Sequence, residues 1–268
     1  MKKLGFIGMG NMAKALAAGF IGKKAIEAQN VFAYAPNQEK LKKNAEEIGF
    51  TPVAGLTELV NAVDTIIMAC KPYQIESVLS DIKNAADCEG LAGKNLISVA
   101  AGWDFDKYSQ YIGKETGFQF VMPNTPAMVG EGVLLFEEKN SLPEEERDAV
   151  KALFASVGIV EELPSSLMGI GGAVAGCGPA FVDLLIEAYA DAGVKYGLQR
   201  ATAYRFVEQM LLGSAKLALE TGKHPGILKD EVCSPGGTTI RGVAALESEG
   251  FRAACEASID AIMDFKKS

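Results

Sequence analysis

The chain has one histidine, His224, in 268 residues, so it cannot surround a metal ion with several imidazoles. Its five cysteines (Cys70, Cys88, Cys177, Cys233 and Cys255) are odd in number, scattered and never spaced C-x-x-C. That excludes a disulfide framework and a zinc ribbon, and no metal is expected. Basic excess is also missing, since 26 Lys and Arg stand against 34 Asp and Glu, for a formal charge of -8 and a pI near 4.9. Without a local basic stripe such a chain repels phosphate backbones, so no nucleic-acid partner is expected. "MKKLGFIGMG" opens with two lysines, but Gly5, Gly8 and Gly10 interrupt its apolar run well short of a signal-peptide core or a membrane span. The expectation is a cytoplasmic protein with no membrane partner. Internal repeats and low-complexity segments are absent too.

With 49% hydrophobic residues, the chain can bury a substantial core and is long enough for two domains. Up to about residue 160, short apolar runs alternate with amphipathic stretches, the pattern of β-α units feeding a mostly parallel, doubly wound sheet. Strands are expected at 4–8, 31–34, 65–69, 95–99 and 118–122, with "GVLLF" at 132–136 and "GIVEEL" at 158–163 extending the sheet around a helix that starts near Pro143. After "LPSSLMG" the strand patterns stop and the sequence is Ala- and Leu-rich and helical. The expected fold is therefore α/β, with a dinucleotide-binding (Rossmann-type) domain at 1–163 and an all-helical domain at 164–268.

Several loops carry chemistry. "LGFIGMGNMA" is a strand, then Gly8-Met9-Gly10-Asn11-Met12-Ala13 leading into a helix, and it matches the dinucleotide fingerprint G-x-G-x-x-[G/A]. The first glycine permits the tight turn, the second admits a pyrophosphate, and Ala13 allows close helix packing. Ile7 to Met12 are thus candidate cofactor contacts. The second strand ends in Tyr34, Ala35, Pro36 and Asn37, with no acid until Glu39. A ribose 2′-phosphate would meet no repulsion there, and Lys40, Lys42 and Lys43 lie in reach, although lysines are surface residues by default. This favours NADPH and leaves NADH possible. Ligands of doubly wound sheets lie beyond the carboxyl ends of strands, which adds Ala69, Cys70, Lys71 and Pro72, then Val99, Ala100 and Ala101, then Asn124 beside Thr125 between two prolines. Lys71 is the expected polar contact there, with a surface lysine in a turn as the alternative. Gly176 and Gly178 precede Pro179 at a helix start, either to pack a nicotinamide or to let helices approach.

"CSPGGTTIRG", Cys233 to Gly242, leaves two readings open. It is either a tight turn capped by threonine, or an anion cradle of free N–H groups at a helix N-terminus. Taken together, "GFIGMGNMA", "ACKP", "VAAG", "MPNTP", "GCGPA" and "HPGILKDEVCSPGGTTIRGVAALE" make the chain resemble the pyrroline-5-carboxylate reductase family almost from end to end. The resemblance implies hydride transfer from NADPH or NADH to the C=N bond of 1-pyrroline-5-carboxylate, giving L-proline. It implies subunits interlocked as homodimers through the helical domain, often built further into decamers. It also implies a carboxylate site made by Ser234, Gly236, Gly237, Thr238 and Thr239 with Glu231 at its border, and Thr239 as hydrogen-bond donor to the ring nitrogen. His224, before Pro225, is expected to end a helix and not to shuttle protons.

The chain departs from the family where Ala175, Gly176 and Cys177 replace a serine-bearing stretch and where Phe181 replaces a frequent tyrosine. A β-hydroxyacid dehydrogenase, which also begins like "GFIGMGNM", is disfavoured because its interdomain helix needs an early lysine. Here Phe181 to Leu184 offers none before Lys195. A nucleotide-sensing protein without turnover is the reading from another class.

Overall fold

The structure is a computed structural model and describes residues 2–265. Strands and helices alternate along the first half as the hydrophobic pattern requires. In order these are β1 (Leu4–Ile7), α1 (Asn11–Gly22), β2 (Val31–Tyr34), α2 (Gln38–Ile48), a two-residue β3 (Thr51–Pro52), α3 (Leu56–Ala62), β4 (Thr65–Met68), α4 (Ile75–Asn84), β5 (Asn95–Ser98), α5 (Phe105–Tyr108) and β6 (Gly117–Met122). β7 (Gly132–Asn140), α6 (Glu144–Ala155), β8 (Gly158–Leu163) and α7 (Ser165–Gly171) follow. The remainder is helical: α8 (Gly178–Lys195), α9 (Arg200–Thr221), α10 (Pro225–Val232), α11 (Thr238–Ser248) and α12 (Phe251–Phe265).

One eight-stranded sheet carries the strands in the order β3-β2-β1-β4-β5-β6-β7-β8. β1 to β6 run parallel, because each crossover passes through a helix or a long loop, whereas the shorter β6–β7 connection reverses the chain and pairs those strands antiparallel. α6 then restores a parallel pairing of β7 with β8. β1 and β4 are buried at every position, as central strands covered on both faces must be. Phe6, Leu16, Phe20, Phe136 and Phe154 fill one side of the core, and Ile66, Leu96, Tyr108 and Phe118 the other. The strand order turns between β1 and β4, and the carboxyl ends at that switch open onto the cleft described below.

Two features differ from the sequence-based expectations. β3 was not foreseen, because two residues carry no periodicity. His224 begins a helix and does not end one: α9 stops at the left-handed Gly222, and His224 caps α10 by accepting the Gly226 N–H at its Nδ1, 3.0 Å away. After β8, contacts divide the chain into two compact units, Met1–Pro179 and Ala180–Ser268. Met168 and Ala173 are buried, Gly171 lies against Leu163 and Leu135, and a π-helical turn at Gly172–Gly176 sits against Met122, so this stretch belongs to the sheet.

In the second unit the buried hydrophobics among the described residues are Ala190, Ala203 and Val207, while Leu184, Phe206, Leu212, Leu219 and Val232 are exposed. Ser165–Lys195 is long and apolar enough to cross a membrane by length and hydropathy alone. A helical unit with this much apolar surface calls for cover.

Candidate active site

Gly8 follows β1 with φ +96, and its N–H donates to the Tyr34 carbonyl at 2.8 Å. A Cβ there would lie 2.7 Å from the Cys70 nitrogen and 2.8 Å from the Ala69 oxygen, so only glycine lets the β1 and β4 loops meet. Gly10 is the N-cap of α1 with ordinary φ, and a Cβ on it would meet no heavy atom within 4 Å. Open space at this glycine, facing free N–H groups of α1, is what a diphosphate needs. Ala13 is buried, which brings α1 down onto the sheet. The fingerprint therefore folds as strand, tight turn and helix, as its spacing suggested.

The cleft above these loops has a volume of about 1080 Å³. Ile7 to Met12 form its floor; Tyr34, Ala35, Pro36 and Asn37 form one wall; Ala69 to Pro72 and Val99 to Ala101 form the other. Lys40 lines the cleft whereas Lys42 and Lys43 do not, so the structure retains one of the three lysines. Asn37 caps α2 by accepting the Lys40 N–H at 2.9 Å, which fixes that helix start beside the cleft. The Lys71 N–H donates to Gln74 Oε1 at 3.1 Å. Burial pushes the Cys70 thiol up to about 11, against a smaller opposing backbone hydrogen bond, so Cys70 is a neutral neighbour in the cleft and not a nucleophile.

Asn124 does not line the cleft, although Thr125 does. Its buried side chain accepts the Val133 N–H at 2.9 Å and donates to the Ala175 carbonyl at 3.0 Å, so the amide is engaged as an internal brace. Sequence reasoning missed the outer wall made by Tyr73, Gln74, Ser77, Val78 and Asp81. Gln74, the N-cap of α4, and Ser77, Val78 and Asp81 within it repeat at helical spacing, a signal that could have marked them.

In the second unit, Gly236 (φ +69) turns the chain between α10 and α11. Gly237 is the N-cap of α11 and offers no side-chain cap, while Thr238 and Thr239 occupy the first turn and are exposed. Threonine capping, one of the two readings of this stretch, is thus not what starts the helix. The Gly237 N–H donates to the Ser234 carbonyl at 3.0 Å and is used by the turn, which removes it from the expected cradle. The N–H groups of Thr238 and Thr239 lie within the first turn, which the α-helical ladder leaves unpaired. Glu231 accepts from Lys223 Nζ at 2.6 Å. Cys177 and Phe181 are exposed, and the Ala175 carbonyl is held by Asn124.

A glycine-turn cleft at the switch of a doubly wound sheet, followed by a separate helical unit, defines a dinucleotide-dependent oxidoreductase. A family model described as pyrroline-5-carboxylate reductase dimerisation matches residues 165–268, and one described as NADP oxidoreductase coenzyme F420-dependent matches residues 3–102. The pyrroline-5-carboxylate reductase of Treponema pallidum is 42% identical, covering 94% of this chain and 95% of its own. That of Escherichia coli is 38% identical over 94% and 93%. The crystal structure of Plasmodium falciparum pyrroline carboxylate reductase with NADP bound has a TM-score of 0.87 and 34% identity, covering 99% of this chain and 97% of that one. The chain belongs to the pyrroline-5-carboxylate reductase family, enzymes that reduce pyrroline-5-carboxylate to proline.

Proposed function

We propose that this protein reduces the ring C=N of 1-pyrroline-5-carboxylate with NADPH in preference to NADH, and that Thr239 donates the hydrogen bond to the ring nitrogen. The observation that carries the substrate assignment is the start of α11, where Gly236 and an N-cap without a side chain leave backbone N–H groups for a carboxylate. The N–H groups of Gly236, Thr238 and Thr239 hold that carboxylate, with the Ser234 hydroxyl beside them. The Thr239 side chain then orients the imine nitrogen and stabilises its protonation. In the first unit, Gly8 to Met12 hold the diphosphate, Lys40 and the start of α2 receive the 2′-phosphate, and Val99 to Ala101 leave room for the nicotinamide ribose. Bound NADPH supplies the hydride. No acid stands at the end of β2 to favour a free 2′-hydroxyl, which supports NADPH over NADH. The exposed apolar helices together with the dimerisation match support a homodimer; the acidic charge balance supports a partner other than nucleic acid.

The test is steady-state oxidation of NADPH with the imine by Thr239→Ala and Thr239→Ser. Removing one preorganised donor should cut kcat about ten- to a hundred-fold. The serine variant should retain most of the rate. Since Thr239 is not the cap of α11, the melting temperature should stay close to wild type. A Thr239→Ala enzyme with wild-type kcat refutes the assignment.

A further inference from the structure

The Ala175 carbonyl lacks the partner that a helix would normally give it. The α-helical donor to this carbonyl would be the N–H of residue i+4, but that residue is Pro179, which has none. Just before it the ladder is already displaced: the Cys177 N–H donates to the Gly172 carbonyl at 3.1 Å, five residues back, in the π turn at Gly172–Gly176. Turns of this kind mark functional sites more often than ordinary helix does. A carbonyl left without its ladder donor in a part-buried place needs another donor.

Asn124 supplies it. The Nδ2 donates to the Ala175 carbonyl at 3.0 Å, and the Oδ1 accepts the Val133 N–H, at the start of β7, at 2.9 Å. Only one orientation of the amide satisfies both bonds, because one needs a donor and the other an acceptor. The side chain is 5% exposed, so water does not compete. On one side Asn124 adjoins Thr125, which lines the cofactor cleft; on the other it fixes Ala175, whose side chain packs on the cluster holding Ala100 and Cys70.

We infer that Asn124 is a positioning residue for catalysis: it clamps the π turn at Ala175 to the nicotinamide end of the cleft and does not itself touch the cofactor. This rests on the reductase reading above. The turn it holds is the stretch where Ala175 and Cys177 have no hydroxyl to hold themselves, so its placement depends on the backbone carbonyl.

Asn124→Asp tests this selectively. A carboxylate still accepts the Val133 N–H but places an oxygen against the Ala175 carbonyl, and only the protonated acid restores the donor. At pH 8 kcat should fall about ten- to a hundred-fold, the scale of a small misplacement of reacting groups. The Kd for NADPH, read by fluorescence, should stay within about twofold, because no ground-state contact is lost. The ratio of kcat to wild type should recover as pH is lowered to 6. Asn124→Leu, close in shape but lacking both hydrogen bonds, should lose as much and show no recovery. Wild-type kcat in both variants overturns the inference, and so does a loss of NADPH affinity that matches the loss in kcat, which would make Asn124 a direct ligand. Hydrogen exchange of the peptide spanning 172–178 should quicken in Asn124→Asp. Unchanged exchange refutes the clamp whether or not the chain turns over the imine, whereas failure of the reductase reading shows as a wild-type protein without turnover.

Discussion

The two glycines of the fingerprint are alike in sequence but not in surroundings, and alanine at each should separate stability from affinity. At Gly8 the backbone has φ +96, and a new Cβ would sit 2.7 Å from the Cys70 nitrogen, an atom of a central loop that cannot swing away. The left-handed conformation costs about 1–2 kcal/mol for a residue with a Cβ. Relieving the contact costs about 1–3 kcal/mol more. The sum, about 2–5 kcal/mol, should lower the melting temperature by roughly 5–20 °C for a unit of this size. At Gly10 the φ is -79 and nothing lies within 4 Å of the added Cβ. There the loss of a glycine cap, about 0.5 kcal/mol, is offset by a similar gain from a stiffer unfolded chain. Gly10→Ala should therefore melt within roughly 2 °C of wild type. Its methyl occupies the approach of the diphosphate, and losing one charged hydrogen bond, about 1.5–3 kcal/mol, should raise the Kd for NADPH about ten- to a hundred-fold. Calorimetric melting without nucleotide and fluorescence titration with it measure the two quantities. If Gly10→Ala melts as low as Gly8→Ala, or binds NADPH as well as wild type, the assignment of the cleft floor is wrong.

Two further outcomes follow from charges at defined places. Lys40→Gln should raise the KM for NADPH several-fold, the worth of one charged contact, and leave the KM for NADH unchanged; Lys42→Gln and Lys43→Gln, which lie off the cleft, should alter neither. The Glu162 carboxyl is held below its usual range by its hydrogen bond to Lys151, with Arg147 at 2.6 Å assisting. A depressed carboxylate stabilises the fold above its unfolded pKa of about 4.3 and loses that contribution as pH falls through the lower folded value. Glu162→Gln should thus lose about 0.5–1 kcal/mol at pH 7, a range set by solvent screening of a surface pair. Chemical denaturation should show that difference shrinking as pH falls below the unfolded value of about 4.3, and a difference that does not shrink as pH is lowered further would exclude this ion pair as its source.

Most of the sheet was legible because its strands are short apolar runs closed by small residues. The expected ranges at 31–34 and 158–163 coincide with β2 and β8. The loops that line the cleft were legible for the same reason, since small residues at strand ends leave open space beyond the sheet. What escaped was tertiary. β3 owes its existence to pairing with Phe32 and Ala33, not to a pattern of its own. The wall on α4 is polar at helical spacing, which reads as an ordinary solvent face until the opposite wall is known. Asn124 lay in a loop that sequence correctly placed at a strand end, but the direction of its amide depends on an orphaned carbonyl 51 residues away.

The two outer strands of the sheet decide how copies of this chain can associate. β3 is two residues long, and since the Val53 N–H donates inward to Ala33 at 2.9 Å, alternation turns the nitrogen of Pro52, which has no hydrogen, to the open side. At the other margin β8 carries Glu161 exposed, beside a Glu162 already paired with Lys151 and Arg147, so a second β8 laid there would meet charged side chains. Neither margin is a template for strand addition, which guards an eight-stranded sheet against growing into fibrils. Self-association is then left to the helices, whose side-chain surfaces can specify a closed assembly where a free strand would have permitted an endless one.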